Sequence, residues 1–183
     1  MKKFLTLKHC LACVAALFGL LVFVFSFLTN LSSYDAAGNL QGTYNGIIWG
    51  AKTMTVSGVT VEIPEAARLG ALALPLVGSI VALLAGVCIC VVAFCCPDKK
   101  VFLWVAAALL IAAAVVIALV PLFAFNKMAQ QQYEALGGTV PLDKVKEMMK
   151  AAGGSLKSAM SIVSAVLAVL AGAAGCVASF VKK

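Results

Sequence analysis

Charge is scarce in this sequence. Lys, Arg, Asp and Glu make up 11% of the 183 residues, while 63% are hydrophobic. A soluble domain carries about 25% charged and about 45–50% apolar residues. A water-soluble fold of this length needs a polar exterior that these residues cannot supply. Disorder is excluded for the same reason, because disordered chains are rich in charge and poor in apolar side chains. Histidine is scarce as well: His9 is the only one. There is no H-E-x-x-H, no G-x-S-x-G, no P-loop and no glycine-rich dinucleotide turn. No nucleophile, base and oxyanion site assembles from what remains. The expectation is therefore a protein without enzymatic activity, cofactor or metal. The net charge of +7 comes without a basic stripe or interleaved aromatics, which speaks against nucleic acid.

What charge there is falls in patches. Four stretches have none: Cys10–Tyr34, Leu69–Pro97, Val101–Asn126 and Ser158–Val181. They are 25, 29, 26 and 24 residues long, and the other 79 residues carry all 21 charges. A helix needs about 20 apolar residues to cross a bilayer about 30 Å thick. The expected fold class is a membrane α-helical bundle of four transmembrane helices, near 10–30, 69–96, 101–125 and 158–181. The partner implied at once is the lipid bilayer. The first stretch is longer than a signal-peptide core and no A-x-A site follows it, so it reads as a retained helix. Leu11-Ala12-Cys13 comes too early to be a lipoprotein site.

Lysine placement sets the orientation. Lys2, Lys3 and Lys8 precede span one, Lys99 and Lys100 sit between spans two and three, and Lys182 and Lys183 close the chain. The other seven basic residues (Lys52, Arg68, Lys127, Lys144, Lys146, Lys150, Lys157) are spread over two long loops. Density favours both termini on the cytoplasmic side of the cell membrane, where anionic headgroups attract lysine.

The loops then lie outside. Loop one, about 31–68, alternates with period two from Lys52 to Ile63. Ser57-Gly58 suits a two-residue hairpin turn, giving a β-hairpin over 52–63. Its register pairs Val56 with Val59, Met54 with Val61, Thr55 with Thr60 and Thr53 with Glu62. One face is apolar and the other threonine-rich, as in a half-buried hairpin. Asn45-Gly46 is a second turn signal. Two strands alone would be marginal, so three or four short strands in a small extracellular antiparallel β-sheet are expected, resting on the helix ends. Pro64-Glu65 suits the start of span two. Pro75 should bend span two, and Pro121 span three.

Loop two, about 127–157, reads as helical. Span three runs on through Gln130–Tyr133 and stops before Gly137-Gly138. An amphipathic helix over 141–152 follows, with Leu142, Val145, Met148, Met149 and Ala152 on one side and Lys144, Lys146, Glu147 and Lys150 elsewhere. Gly153-Gly154 ends it. It lies on the membrane or the sheet, or serves as a docking site.

Small residues recur every four positions: Gly78, Ala82, Gly86 and Cys90 in span two, and Ser164, Ala168, Gly172 and Cys176 in span four. Such stripes let helices approach closely, within one bundle or between copies in a homo-oligomer. No charge lies inside a span, which argues against pumps, proton-coupled transporters and voltage sensors. All seven cysteines fall toward the inner ends of the spans. Cys10-Leu-Ala-Cys13 has the spacing of redox and metal sites, and the plain alternative is that cysteine serves as a small apolar residue. His9, beside Lys8, reads as a solvated imidazole.

Four helices with both ends inside, a strand-rich first loop, a short inner turn and a second outer loop resemble the claudin and peripheral-myelin-protein architecture. Gly46-Ile-Ile-Trp49-Gly50 is similar to that family's first-loop glycine, leucine and tryptophan signature. The family's paired extracellular cysteines are missing here. The resemblance implies Trp49 as an anchor of the sheet, and the alternative for Trp49 is an interfacial aromatic. Length and amino-terminal style also resemble small membrane proteins of low-GC bacteria.

The functional expectation is a structural or interaction protein whose outer sheet contacts a membrane or extracellular protein, or another copy. Its surface would include Trp49, Thr53, Thr55, Thr60, Glu62, Lys144 and Lys150. Two alternatives stand beside it: a pore or transport subunit, and a four-helix membrane thiol oxidoreductase using Cys10 and Cys13.

Overall fold

The computed structural model describes residues 7–96, 98–151 and 155–181. Lys2, Lys3, Lys182 and Lys183, Ala152 on the amphipathic face, and the Gly153-Gly154 stop lie outside them. The chain divides into two compact units. One comprises Met1–Ser26, Leu74–Ala118 and Ile162–Lys183, the other Phe27–Ala73 and Leu119–Ser161.

The first unit is helical. Four helices of the chain are long and apolar enough to cross a membrane: α1 (Leu7–Phe27), α2 (Ala73–Cys95), α3 (Lys100–Ala118) and α6 (Ala159–Phe180). They fit a multi-pass membrane protein. Their outward faces are apolar too, with Leu84, Val101 and Ile162 each more than 60% exposed. A water-soluble bundle would carry polar residues there. The core is built largely on alanine: Ala12, Ala15, Ala82, Ala106, Ala113 and Ala168 pack with Val22, Ile89, Leu103, Leu110 and Ile117. Small side chains allow the close approach that must drive association where lipid supplies no hydrophobic force. Three buried hydroxyls are answered by the backbone one turn back, while that of Ser164 has no partner among the described residues. Ser26 donates to the Phe23 carbonyl at 2.6 Å, Ser79 to Leu76 at 2.8 Å and Ser179 to Cys176 at 2.6 Å. This is the usual resolution for serine in a helix.

Three expectations about helix ends need correction. Lys8 and His9 do not precede the first helix but belong to it, and Lys8 is buried. Pro75 does not bend α2. The helix begins at Ala73, so Pro75 lies in a first turn whose N–H groups have no intrahelical partner to lose. Pro64-Glu65 does not open α2 either. Glu65–Ala67 is one 3-10 turn, Arg68 is extended and Leu69 bridges Ala51. The third span is also divided. Leu119 leaves helical geometry (φ −85°, ψ 9°), and a separate helix α4 (Val120–Ala135) starts with Pro121 in its first turn. Proline there ends one helix and begins the next, since its ring clashes with the preceding turn.

The second unit is a five-stranded antiparallel sheet with two helices. The strands are β1 (Leu31–Tyr34), β2 (Leu40–Tyr44), β3 (Thr53–Val56), β4 (Val59–Glu62) and β5 (Ser155–Lys157), in the order β4-β3-β2-β1-β5. The β3–β4 pairs are Thr53 with Glu62, Met54 with Val61, Thr55 with Thr60 and Val56 with Val59, the register given by the alternation. Ser57 and Gly58 turn the corner with φ of 50° and 82°, and positive φ at both positions matches the right-handed strand twist. The fifth strand comes from the second loop, so the sheet is not built from loop one alone. The larger apolar side chains buried in this unit include Leu31, Ile47, Ile48, Ile63, Leu69, Leu72, Val120 and Val145. α5 (Leu142–Ala151) packs on α4, and α4 reaches the sheet at β5.

Candidate interaction surface

The strand registers align one row of residues across the whole sheet. Lys157 lies opposite Ser32, Ser32 opposite Thr43, Thr43 opposite Thr55, and Thr55 opposite Thr60. Four of the five are hydroxyl residues, and they bond along the row. The Ser32 and Thr43 hydroxyls are 3.1 Å apart, as are those of Thr55 and Thr60. Asn45 stiffens this face, its amide donating to Thr53 at 3.3 Å and Thr55 at 3.2 Å. At the far end the Lys157 ammonium stands 5.0 Å over the Tyr34 ring, a cation–π geometry. Thr53, Thr55, Thr60 and Glu62 are thus brought together on one face, because side chains two apart in a strand point the same way.

The opposite face carries Leu31, Tyr44, Met54 and Val61 in one row. Burial fades along it, from Leu31 at 0% exposure to Val61 at 45%. The hairpin is therefore not half-buried as the alternation implied. β4 is exposed along its whole length, with Val59 at 63%. The reason is topological: α4 meets the sheet at β5, the other edge. β4 is an open edge without Pro or Lys and with one charged residue, Glu62. Sheet edges usually carry such devices to prevent pairing with another strand.

Trp49 closes a 3-10 turn, Ile47–Trp49, whose two isoleucines are buried. Its ring stacks on Phe27 with centroids 4.4 Å apart and planes 9° from parallel. Lys144 and Lys150 are exposed on α5, not on the strands that carry the hydroxyl row. Lys150 borders a shallow cavity of about 370 Å³ with Pro121, Leu122, Phe125 and Leu156. On α5, Val145 is buried while Met148 is 50% exposed, so Met148 does not belong to the packed face.

Gly78, Ala82, Gly86, Ser164, Ala168 and Gly172 are all buried within the chain. A Cβ at Gly86 would stand 3.0 Å from the Ala15 carbonyl oxygen, and one at Gly172 3.1 Å from that of Ala107. Gly86 thus packs α2 on α1 and Gly172 packs α6 on α3, while Gly78 faces Val116 of α3. His9 is not simply solvated: its ring lies 4.4 Å from that of Phe94. Among the described residues no group of three His, Cys, Asp or Glu side chains could hold a metal ion.

Other features had weak or distant signals. The β1–β2 turn is built on Asp35. Its carboxylate accepts the Asn39 N–H at 2.8 Å, the Asn39 amide at 3.2 Å and the Gln41 amide at 2.9 Å. These bonds to its charged form, the Asn39 N–H foremost, hold the carboxyl below its ordinary pKa. Asp35 and Gly38-Asn39 are ordinary turn residues that the alternation argument passes over. Within the same unit Lys127 donates to the Ala71 carbonyl and Gln131 to that of Arg68, each at 2.8 Å. No protein-family model matches the chain, and no curated protein matches it.

Proposed function

We propose that this chain is a multi-pass protein of the cell membrane with both termini cytoplasmic, claudin-like in topology. In this reading it works by contact rather than by chemistry. Its sheet faces outward and engages a neighbouring copy or another membrane or extracellular protein. The observation that carries the reading is the open β4 edge, unprotected and exposed from Val59 to Glu62. Free N–H and C=O groups along an edge recruit a strand by main-chain hydrogen bonds, and alternate side chains give selectivity. The hydroxyl row ends on this strand at Thr60, so an added strand would extend a surface already ordered by Asn45. The helical unit supports the same reading over a pore. Its buried spans hold alanine and serine, and three of those serines, Ser26, Ser79 and Ser179, are bonded to their own backbone.

A photocrosslinking residue placed at Thr60 in cells tests it. We expect a crosslink to a second copy or to one reproducible protein, mapped to a strand segment. The same probe at Gln130, an exposed residue on α4, should give no such product. Lipid adducts alone at both positions would overturn the proposal.

A further inference from the structure

α1 and α2 pack antiparallel, and their contacts form a ladder. Gly19 meets Ala82 and Gly86, Ala15 and Ala16 meet Gly86, and His9 meets Phe94. Residue numbers fall on α1 as they rise on α2. Cys13 lies between Ala15 and His9, and Cys90 between Gly86 and Phe94. Residues four apart share a helix face, so His9 and Cys13 form one edge of the seam and Gly86, Cys90 and Phe94 the other. The ladder sets Cys13 level with Cys90, and their side chains are close enough to interact. The glycine crossing just beside them brings the two backbones close, as a disulfide requires, with Cα atoms about 4.4–6.8 Å apart. Cys13 is exposed and Cys90 half-buried.

We infer that Cys13 and Cys90 are a modification site: a dithiol that closes reversibly to a disulfide between α1 and α2. The spacing of Cys10 and Cys13 suggested a pair within one helix, whereas the geometry points to a pair across two. The oxidant is a small-molecule disulfide. The exposed Cys13 thiolate attacks one of its sulfurs, breaking that S–S bond and releasing one thiol. The Cys90 thiolate then attacks the Cys13 sulfur of the mixed disulfide and releases the second thiol. Both cysteine protons end on the released thiols, two electrons pass to the reagent, and one S–S bond forms for the one broken.

The full-length protein in detergent micelles is treated with 4,4′-dithiodipyridine, alkylated with N-ethylmaleimide and digested without reduction. Mass spectrometry should find a peptide pair joined through Cys13 and Cys90, lighter by two hydrogens and separated by dithiothreitol. Cys90→Ser should abolish the link and leave the thiopyridine adduct on Cys13. A variant with the other five cysteines changed to serine should keep the link. Separate adducts on Cys13 and Cys90 with no link, or a link from Cys13 to Cys10, would overturn the inference.

Discussion

Gly19 and Gly86 face one another where α1 crosses α2. A Cβ on Gly19 would lie 2.7 Å from the Ala82 carbonyl oxygen and 3.2 Å from the Gly86 Cα. Both obstacles are backbone, so no side-chain rotation relieves them and the helices must move apart. Gly19→Ala should destabilise the helical unit by about 1–3 kcal/mol, the usual cost of overpacking. Gly78 is the contrast. A Cβ there meets Val116 at 3.5 Å, an ordinary contact, and alanine is about 1 kcal/mol better than glycine inside a helix. Gly78→Ala should be neutral or stabilising. Denaturant titration in micelles separates the two, and equal losses would contradict the close crossing.

Asp35 makes the β1–β2 turn depend on pH. Its folded pKa is lowered, chiefly by the Asn39 N–H. The proton therefore binds the unfolded turn more readily than the folded one. The stabilisation is complete above the ordinary carboxyl value of 3.8 and is lost as pH falls through the lowered one. The Asn39 amide resonance should titrate with its midpoint below that ordinary value. Asp35→Asn should remove this acid step, and an unchanged titration in that variant would assign it to another group.

The segment from Ile63 to Leu72 is held by side chains from α4. Gln131 donates to the Arg68 carbonyl, Lys127 to Ala71, and Arg68 itself to the Ile63 carbonyl at 3.0 Å. The segment has little regular structure of its own, so these bonds set how often it opens. Each is worth about 1 kcal/mol. Gln131→Ala should then speed hydrogen exchange of the Ala67 and Leu72 amides, which bond Pro64 and Ile48 carbonyls, by about fivefold. Exchange at Leu110, in the core of α3, should not change.

These particulars show what a local pattern can and cannot reveal. The Thr53–Glu62 register was legible because period-two alternation and a two-residue turn leave one pairing that separates the faces. The four apolar stretches were legible because charge is costly in lipid and each omits it completely. β5 was not legible: Ser155–Lys157 is three residues long and pairs with Ser32–Tyr34, more than a hundred positions away. Nor was the open face of β4, because alternation shows which side is apolar and not whether anything covers it. The break at Leu119 is an intermediate case. Pro121 marked the place, but helix continuation and helix restart look alike in sequence. In sequence, Cys90 is one of a small-residue stripe and one of seven cysteines toward the inner ends of the spans. Its juxtaposition with Cys13 depends on where α1 crosses α2, which Gly19 and Gly86 set together.

The β4 edge gives the clearest test of the interaction reading, because folding and association can be separated there. Val59 and Val61 lie on one face of the strand and are 63% and 45% exposed, so replacing them removes little buried surface. Exposed substitutions of this kind usually change stability by less than about 0.5 kcal/mol. Lysine at either site places a charge where a second strand must dock, and self-pairing about a two-fold axis sets that charge near its own symmetry mate. Val59→Lys with Val61→Lys should leave the β3–β4 amide pattern intact while abolishing the crosslink formed from position 60. Val59→Thr with Val61→Thr, which keeps the edge uncharged and strand-forming, should retain it. Loss with both pairs would mean that the valine side chains themselves are the contact. Retention with the lysine pair would show that β4 is not the docking edge.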